Sequence, residues 1–296
     1  MSTNEVQLND EGKTKARRLI DVNNINKLPK RFRMTTTPLQ AEGADLPDLA
    51  GLAELKASGS GMFSQKGLHC MKEAIGYPSV TIVDLRQESH GFVNGMAVSW
   101  YGLNNNTNKG LQDEEVLREE RRLLDNLAAD LVINFDHLEG KSVQLEGPLT
   151  GPRTVLTEEE MVTREGLRYQ RFFVSDHHRP LDRVVDQFIT FVKALSDDVW
   201  LHFHCRGGVG RTTSFLLMYD MLRNVGKVSK DDIIRRHILI GGKDMTDADP
   251  NDVLKYAPAM ERLAYIHKFY EYCLHNYQDG YSTSWSEWQA NADSAS

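Results

Sequence analysis

Val199-Trp200-Leu201-His202-Phe203-His204-Cys205-Arg206-Gly207-Gly208-Val209-Gly210-Arg211-Thr212-Thr213 decides the fold. The first five residues are apolar and β-prone, and Thr213 to Leu222 is helix-forming. Between them, a cysteine and an arginine bracket a glycine-rich turn with five residues between them. Glycine accepts positive φ, so such a turn can aim successive N–H groups at one point and bind an anion. The following helix adds free N–H groups and the positive end of its dipole. Arg211 can grip two phosphate oxygens through its planar fork. The same positive field is expected to hold Cys205 as thiolate, the nucleophilic form. The hydroxyl of Thr212 can hydrogen-bond the sulfur and ease its departure from a covalent intermediate. His204 is expected to orient the loop, and the amides of Gly207, Gly208, Val209 and Gly210 to receive the anion.

Working outward, Pro78 to Leu85 reads as a buried strand rich in β-branched residues. Glu114 to Leu131 has leucines at three- and four-residue steps and reads as a helix. Leu181 to Leu195, Lys230 to Leu239 and Pro258 to Asn276 read as further helices, and residues 132–173 as mostly strand. Strands alternating with helices predict an α/β fold, a central sheet flanked by helices, with the site at the C-terminal end of a strand. Residues 1–24 read as a flexible tail or, from Gly12 to Ile20, a short helix. Residues 289–296 read as a C-terminal tail.

A chain of 296 residues, 40% hydrophobic, is long enough for a sizeable core. Its net charge of −7 argues against nucleic acid or an anionic membrane as default partner. No stretch reaches the roughly 20 apolar residues of a membrane helix. No hydrophobic leader is visible at the N-terminus, so a cytoplasmic location or export without a cleaved signal is expected. Three cysteines, Cys70, Cys205 and Cys273, make no disulfide framework. His202 and His204 are placed on opposite faces of one strand, His202 in the core, and no metal or other cofactor is called for.

Cleaving a phosphate monoester of an alcohol needs a general acid, because an alkoxide leaves poorly. Asp176, in the polar run Ser175-Asp176-His177-His178-Arg179-Pro180 between a strand and a helix, is the candidate. A substrate with many phosphates needs cations beyond the loop. Candidates are Arg206, His177, His178, Arg179, Lys30, Arg33, Lys255 and Arg262. Lys255 and Arg262 are seven apart and would share one helix face, unless the helix starts at Pro258 between them. Asp84, Arg86, Glu88 and His90 alternate after a strand and suit structural ion pairing.

Asp84 to Gly91, Ser99-Trp100-Tyr101-Gly102, Val174 to His177, Trp200 to Thr212, and Asp279-Gly280-Tyr281 with Trp285 occur in one order. This array resembles the protein-tyrosine-phosphatase-like phytases, bacterial enzymes that remove phosphates from inositol polyphosphates. The resemblance covers roughly residues 25–288. It implies a phosphatase core with an added small β-barrel-like subdomain, for which residues 132–173 are the expected source. It also implies Asp176 as the acid, a phosphate-contacting segment at Phe32-Arg33, and substrate-binding cations at Lys255 and Arg262. The implied partner is a small anionic inositol polyphosphate, bound by a monomer. Two stretches depart from the family. Asp244, Asp247, Asp249 and Asp252 crowd a segment that is often richer in lysine, and Asn105 stands where related enzymes can have Asp. The alternatives are a phosphotyrosine or phosphoinositide phosphatase of the same chemistry, and an inactive phosphate-binding module.

Overall fold

The computed structural model describes residues 16–39, 46–102, 105, 107–151 and 153–294. In chain order the elements are β1 (Arg17–Val22), β2 (Arg33–Met34), β3 (Ala57–Ser60), α1 (Gln65–Ile75), β4 (Val80–Asp84), β5 (His90–Val93), β6 (Met96–Tyr101) and α2 (Asp113–Ala129). Then come β7 (Val132–Ile133), β8 (Leu149–Thr150), β9 (Val155–Leu156), α3 (Glu158–Arg164), β10 (Arg168–Arg171) and α4 (Asp182–Lys193). β11 (Trp200–His204), α5 (Gly210–Asn224), α6 (Lys230–Leu239), α7 (Val253–Asn276) and α8 (Trp285–Ser294) complete the chain. They sort into two compact units, each assembled from three chain segments.

One unit comprises Lys30–Gly61, Tyr77–Leu85 and Leu167–Ser296. Its sheet has the order β10-β4-β11-β3-β2. The first three pairings are parallel and β2 is antiparallel. Every residue of β4 and β11 is buried. That suits central parallel strands covered on both faces, which read as apolar runs rather than as alternation. The ends of the parallel strands align: Arg171 pairs with Asp84, Asp84 with His204, and His204 with Ser60. α5 is buried almost throughout, its polar residues Arg211, Thr212 and Asp220 included, and packs against α6 and α7. Phe172, Phe188, Phe203 and Phe215 fill the core, with Phe188 edge-on to Phe215 at 4.9 Å. Inside, Asp220 of α5 accepts from Arg236 and His237 of α6, while Arg236 Nη1 donates to the carbonyls of Asp48 and Ala50. Tyr265, Phe269, Tyr272, Trp285 and Trp288 cluster around α7 and α8, and Trp285 Nε1 donates to Asp182 at the start of α4.

The other unit comprises the described parts of Met1–Pro29, Met62–Gly76 and Arg86–Gly166. Its four-stranded antiparallel sheet has the order β1-β6-β5-β9. Ile20, Val93, Val98, Trp100, Leu124, Leu127 and Ile133 form its core. Two expectations change here. Residues 17–22 are a strand rather than tail or helix, with Leu19 and Ile20 fully buried; residues 12–15 lie outside the described residues. The β-rich body draws on three segments, not on 132–173 alone. Within that span lie two-residue strands, the helix α3, and β10, which belongs to the sheet of the other unit. Its sheet is open among the described residues, with single bridges from Leu19 to Asp136 and from Ile20 to Val143. Arg86 is fully buried between Glu88 (2.9 Å) and Asp21 (3.1 Å).

Candidate active site

β11 delivers Cys205 and α5 starts at Gly210, so the signature loop spans a strand end and a helix start. Cys205 is buried, and its Sγ accepts from Gly208 N–H and from Thr212 Oγ1, each at 3.2 Å. Gly208 has φ +70°, and a Cβ there would lie 2.3 Å from the Gly61 amide nitrogen. Only glycine fits that turn. A Cβ on Gly210 would lie 2.3 Å from Arg262 Nη1, so this guanidinium rests directly on the helix start. From the segment around β2, Arg31 Nη1 donates to Gly207 O at 2.9 Å and Arg33 Nη1 to Gly208 O at 3.0 Å. Arg33 Nη2 donates to Thr213 Oγ1 at 3.1 Å, which also accepts the Lys243 amide at 3.0 Å.

Arg211 is buried and ties two segments to its own. Its Nη1 donates to Val174 O (3.0 Å), beyond β10, and to Leu85 O (3.3 Å), beyond β4. Its Nη2 lies 3.2 Å from Asp176 Oδ1, which also accepts the His177 amide at 3.0 Å. The aligned strand ends therefore bring Asp176 to the loop carrying Cys205. Downstream, Arg179 fixes the segment bearing Asp176, pairing with Asp182 (2.8 Å) and Glu261 (3.1 Å) over the Tyr265 ring. Arg179 is thus spent on anchoring.

The electrostatics mark a cationic basin. Burial pushes the His177 imidazole below its ordinary range; Asp176 opposes this, and the charges of Arg211, Lys255 and Arg262 add to it. Burial also lowers Arg262, against the pull of Asp176 and Cys205 and with the push of Arg211. α7 begins at Val253, capped by the Asp252 side chain, with Pro258 inside its second turn. Lys255 and Arg262 therefore share a face after all, two turns apart on one helix. Lys255 is exposed and paired with Asp252. Arg206 is half-buried within the loop and Lys30 is exposed.

The two strand histidines overturn one expectation. His202 and His204 are two residues apart and share a face, as strand periodicity requires, with rings stacked at 6.4 Å. His202 is a core histidine, bridged to Ser58 Oγ (2.8 Å) and Ser60 Oγ (3.0 Å) and held below its ordinary range by burial. His204 is buried with Nε2 3.9 Å from Asp84 Oδ1. Asp84 itself pairs with Arg171 (3.0 Å) and accepts from Tyr169 (2.8 Å). Asn105 lies in the other unit, buried with φ +59°, and residues 103, 104 and 106 fall outside the described residues. Sequence reasoning passed over Arg31. It is exposed, its backbone is left-handed (φ +58°), and its side chain reaches the loop.

A family model for PTP-like phytases, described by the words inositol hexakisphosphate, matches residues 83–223. The solved PTP-like phytase of Bdellovibrio bacteriovorus is 33% identical, with 93% of this chain and 95% of that one covered, at a TM-score of 0.72. This chain belongs to the PTP-like phytases. The tandemly repeated PTP-like phytase of Mitsuokella multacida is 35% identical over 93% of this chain, at a TM-score of 0.85. The Mitsuokella PTP-like myo-inositol phosphatase, solved with myo-inositol-(1,3,4,5)-tetrakisphosphate, is 34% identical at the same TM-score. Effector protein hopD2 of Pseudomonas syringae pv. tomato is 28% identical over 271 residues, 88% of this chain. The chain spans 58% of hopD2 and 49% of the Mitsuokella chains. Its α/β architecture is that of the solved PTP-like phytases. Among the described residues, no helix is long and apolar enough to cross a membrane.

Proposed function

We propose that this PTP-like phytase removes phosphates stepwise from inositol polyphosphates through a phosphocysteine. One observation carries the reading. A buried cysteine under two hydrogen-bond donors lies in a loop whose arginine holds the carboxylate of Asp176. Binding alone needs neither a nucleophile nor an acid.

In the first step Cys205 Sγ attacks phosphorus in line and the P–O bond to the ring breaks. Asp176, protonated, gives its proton to the departing oxygen. Arg211 and the amides from Gly207 to Gly210 hold the three equatorial oxygens, where charge is spread in the transition state. In the second step water attacks phosphorus, Asp176 takes its proton, and the S–P bond breaks. The hydroxyl of Thr212, already 3.2 Å from Sγ, donates to the sulfur as it leaves. His204 supports the loop from the end of β11.

Remaining phosphates of the substrate need positive charge outside the loop. Arg262 and Lys255 supply it, Arg206 adds charge within the loop, and His177, whose proton affinity burial lowers, offers a hydrogen bond beside them. Burial is the main cause of the lowered position of His177, and the charges of Arg211, Lys255 and Arg262 add to it, which supports a gathering of cations there before any anion arrives. The Mitsuokella structure solved with an inositol tetrakisphosphate supports the substrate class. The name of the Pseudomonas relative favours an exported role, which a secretion assay on the full-length protein would test.

The test is phosphate release from inositol hexakisphosphate and from p-nitrophenyl phosphate. Wild type should act on both, and Cys205→Ser on neither while still binding inorganic phosphate. Activity confined to the aryl ester would favour a phosphotyrosine enzyme. No turnover by wild type would leave a binding module.

A further inference from the structure

We infer that Arg33, assisted by Arg31, is a positioning residue of this site: it holds loop carbonyls away from the sulfur and sets a buried positive charge beside Cys205. The inference rests on the reading of Cys205 as nucleophile.

The peptide geometry comes first. In a trans peptide the C=O and the next N–H lie in one plane and point opposite ways, and no peptide bond of the described residues is cis. Arg31 holds Gly207 O at 2.9 Å, so the Gly208 N–H of that plane must point away from Arg31. It points at Cys205 Sγ, 3.2 Å away. Arg33 holds Gly208 O at 3.0 Å, which fixes the next plane and the direction of the Val209 N–H. Two guanidinium groups on consecutive carbonyls thus set two consecutive amides. The same arginine reaches Thr213 Oγ1, next to the Thr212 hydroxyl that faces the sulfur.

The charge is the second strand of the argument. Arg33 is 5% exposed, and all its partners are neutral: Arg31 O, Gly208 O and Thr213 Oγ1. Its Nε has no partner, and no carboxylate of the described residues pairs with it. Buried charges are ordinarily paired, because desolvation is costly. Burial lowers this guanidinium to about 10, and the opposing influence is the charge of Cys205. The sulfur is therefore the counter-charge that the buried arginine otherwise lacks. The fork of Arg33 is occupied by the loop, which assigns it to the loop rather than to direct contact with a substrate phosphate.

Three variants separate the two contributions. Arg33→Met removes charge and fork, Arg33→Lys keeps the charge, and Arg31→Ala removes a carbonyl contact from an exposed side chain. Each is compared with wild type for kcat on p-nitrophenyl phosphate and for iodoacetamide alkylation at Cys205 at neutral pH, located by mass spectrometry. Arg33→Met should lose about tenfold or more in both, the effect of roughly one pKa unit of differential stabilisation. Arg33→Lys should recover alkylation but not kcat. Arg31→Ala, which frees the plane of the Gly208 amide on the sulfur but keeps the buried charge, should lower kcat and lower alkylation less than Arg33→Met does. A folded Arg33→Met that alkylates at the wild-type rate overturns the charge assignment, and full kcat in Arg33→Lys overturns the fork. Should Arg33→Met fail to fold, wild-type kcat in both other variants overturns the inference. If wild type itself releases no phosphate, the phosphatase reading fails, while the alkylation arm still decides on Arg33.

Discussion

Replacing Gly210 by alanine adds one methyl group where α5 begins, against the guanidinium of Arg262. The new Cβ would lie 2.3 Å from Nη1, 2.9 Å from Cζ and 3.2 Å from Nη2. Ordinary contact begins near 3.4 Å, so the guanidinium must retreat by about 1.1 Å, the difference between 3.4 and 2.3. The far end of a long side chain can move that far without disturbing the fold. Alanine should even favour the helix by up to about 1 kcal/mol. The loss falls on binding. A displaced Arg262 gives up a charge-assisted hydrogen bond worth about 1.5–3 kcal/mol, or roughly ten- to a hundredfold in kcat/KM. Gly210→Ala should therefore lose that factor on inositol hexakisphosphate and little on p-nitrophenyl phosphate, whose one phosphate needs only the loop. Its thermal midpoint should equal or exceed that of wild type. Arg262→Ala should reproduce the loss, and the double variant should add nothing, since both changes remove one interaction. Equal losses on the two substrates would mean that the methyl group damages the loop itself. No loss on the hexakisphosphate would remove Arg262 from the substrate site.

Asp176→Asn should lower kcat on inositol phosphates by about 10²–10⁴-fold and slow p-nitrophenyl phosphate much less, because nitrophenolate leaves without a proton; equal slowing would end the general-acid assignment. His177 gives a pH signature. Its folded value lies below the ordinary 6.5, chiefly through burial, so the unfolded chain binds a proton that the folded one does not. Stability should fall as pH drops below 6.5 and stop falling below the folded value. His177→Gln should flatten this limb in thermal midpoints measured against pH, and parallel curves for the two proteins would contradict it.

What was legible in the sequence was contiguous. Cys205, Arg211 and Thr212 lie within eight residues of one another, and the glycines between them declare the loop. Asp176 was legible because its polar run interrupts a strand and a helix. β1 was not, because Leu19-Ile20 is a short apolar pair between charges and becomes a strand only by pairing with β6, some 80 positions away. α3 carried a signal that went unused, the capping box of Thr157 and Glu160, within a stretch read as mostly strand. The shared face of His202 and His204 followed from a period of two and needed no structure. Arg33 read as a cation for the substrate and Arg31 was passed over, because nothing local tells that one turn brings both to the carbonyls of a loop more than 170 residues away.

The flush finish of the parallel strands carries a consequence for how this family can diversify. Ser60, His204, Asp84 and Arg171 stand in one row, and the segments bearing Gly61, Cys205, Leu85 and Asp176 all leave from it. A deletion of one residue inside any of these strands would pull its outgoing segment back by about 3.3 Å and turn its side chains to the opposite face. Substitutions past the row should alter which molecule is welcomed; shortening before it would pull Asp176 away from Cys205. Variation in substrate taste should therefore accumulate downstream of the row, while strand lengths stay frozen.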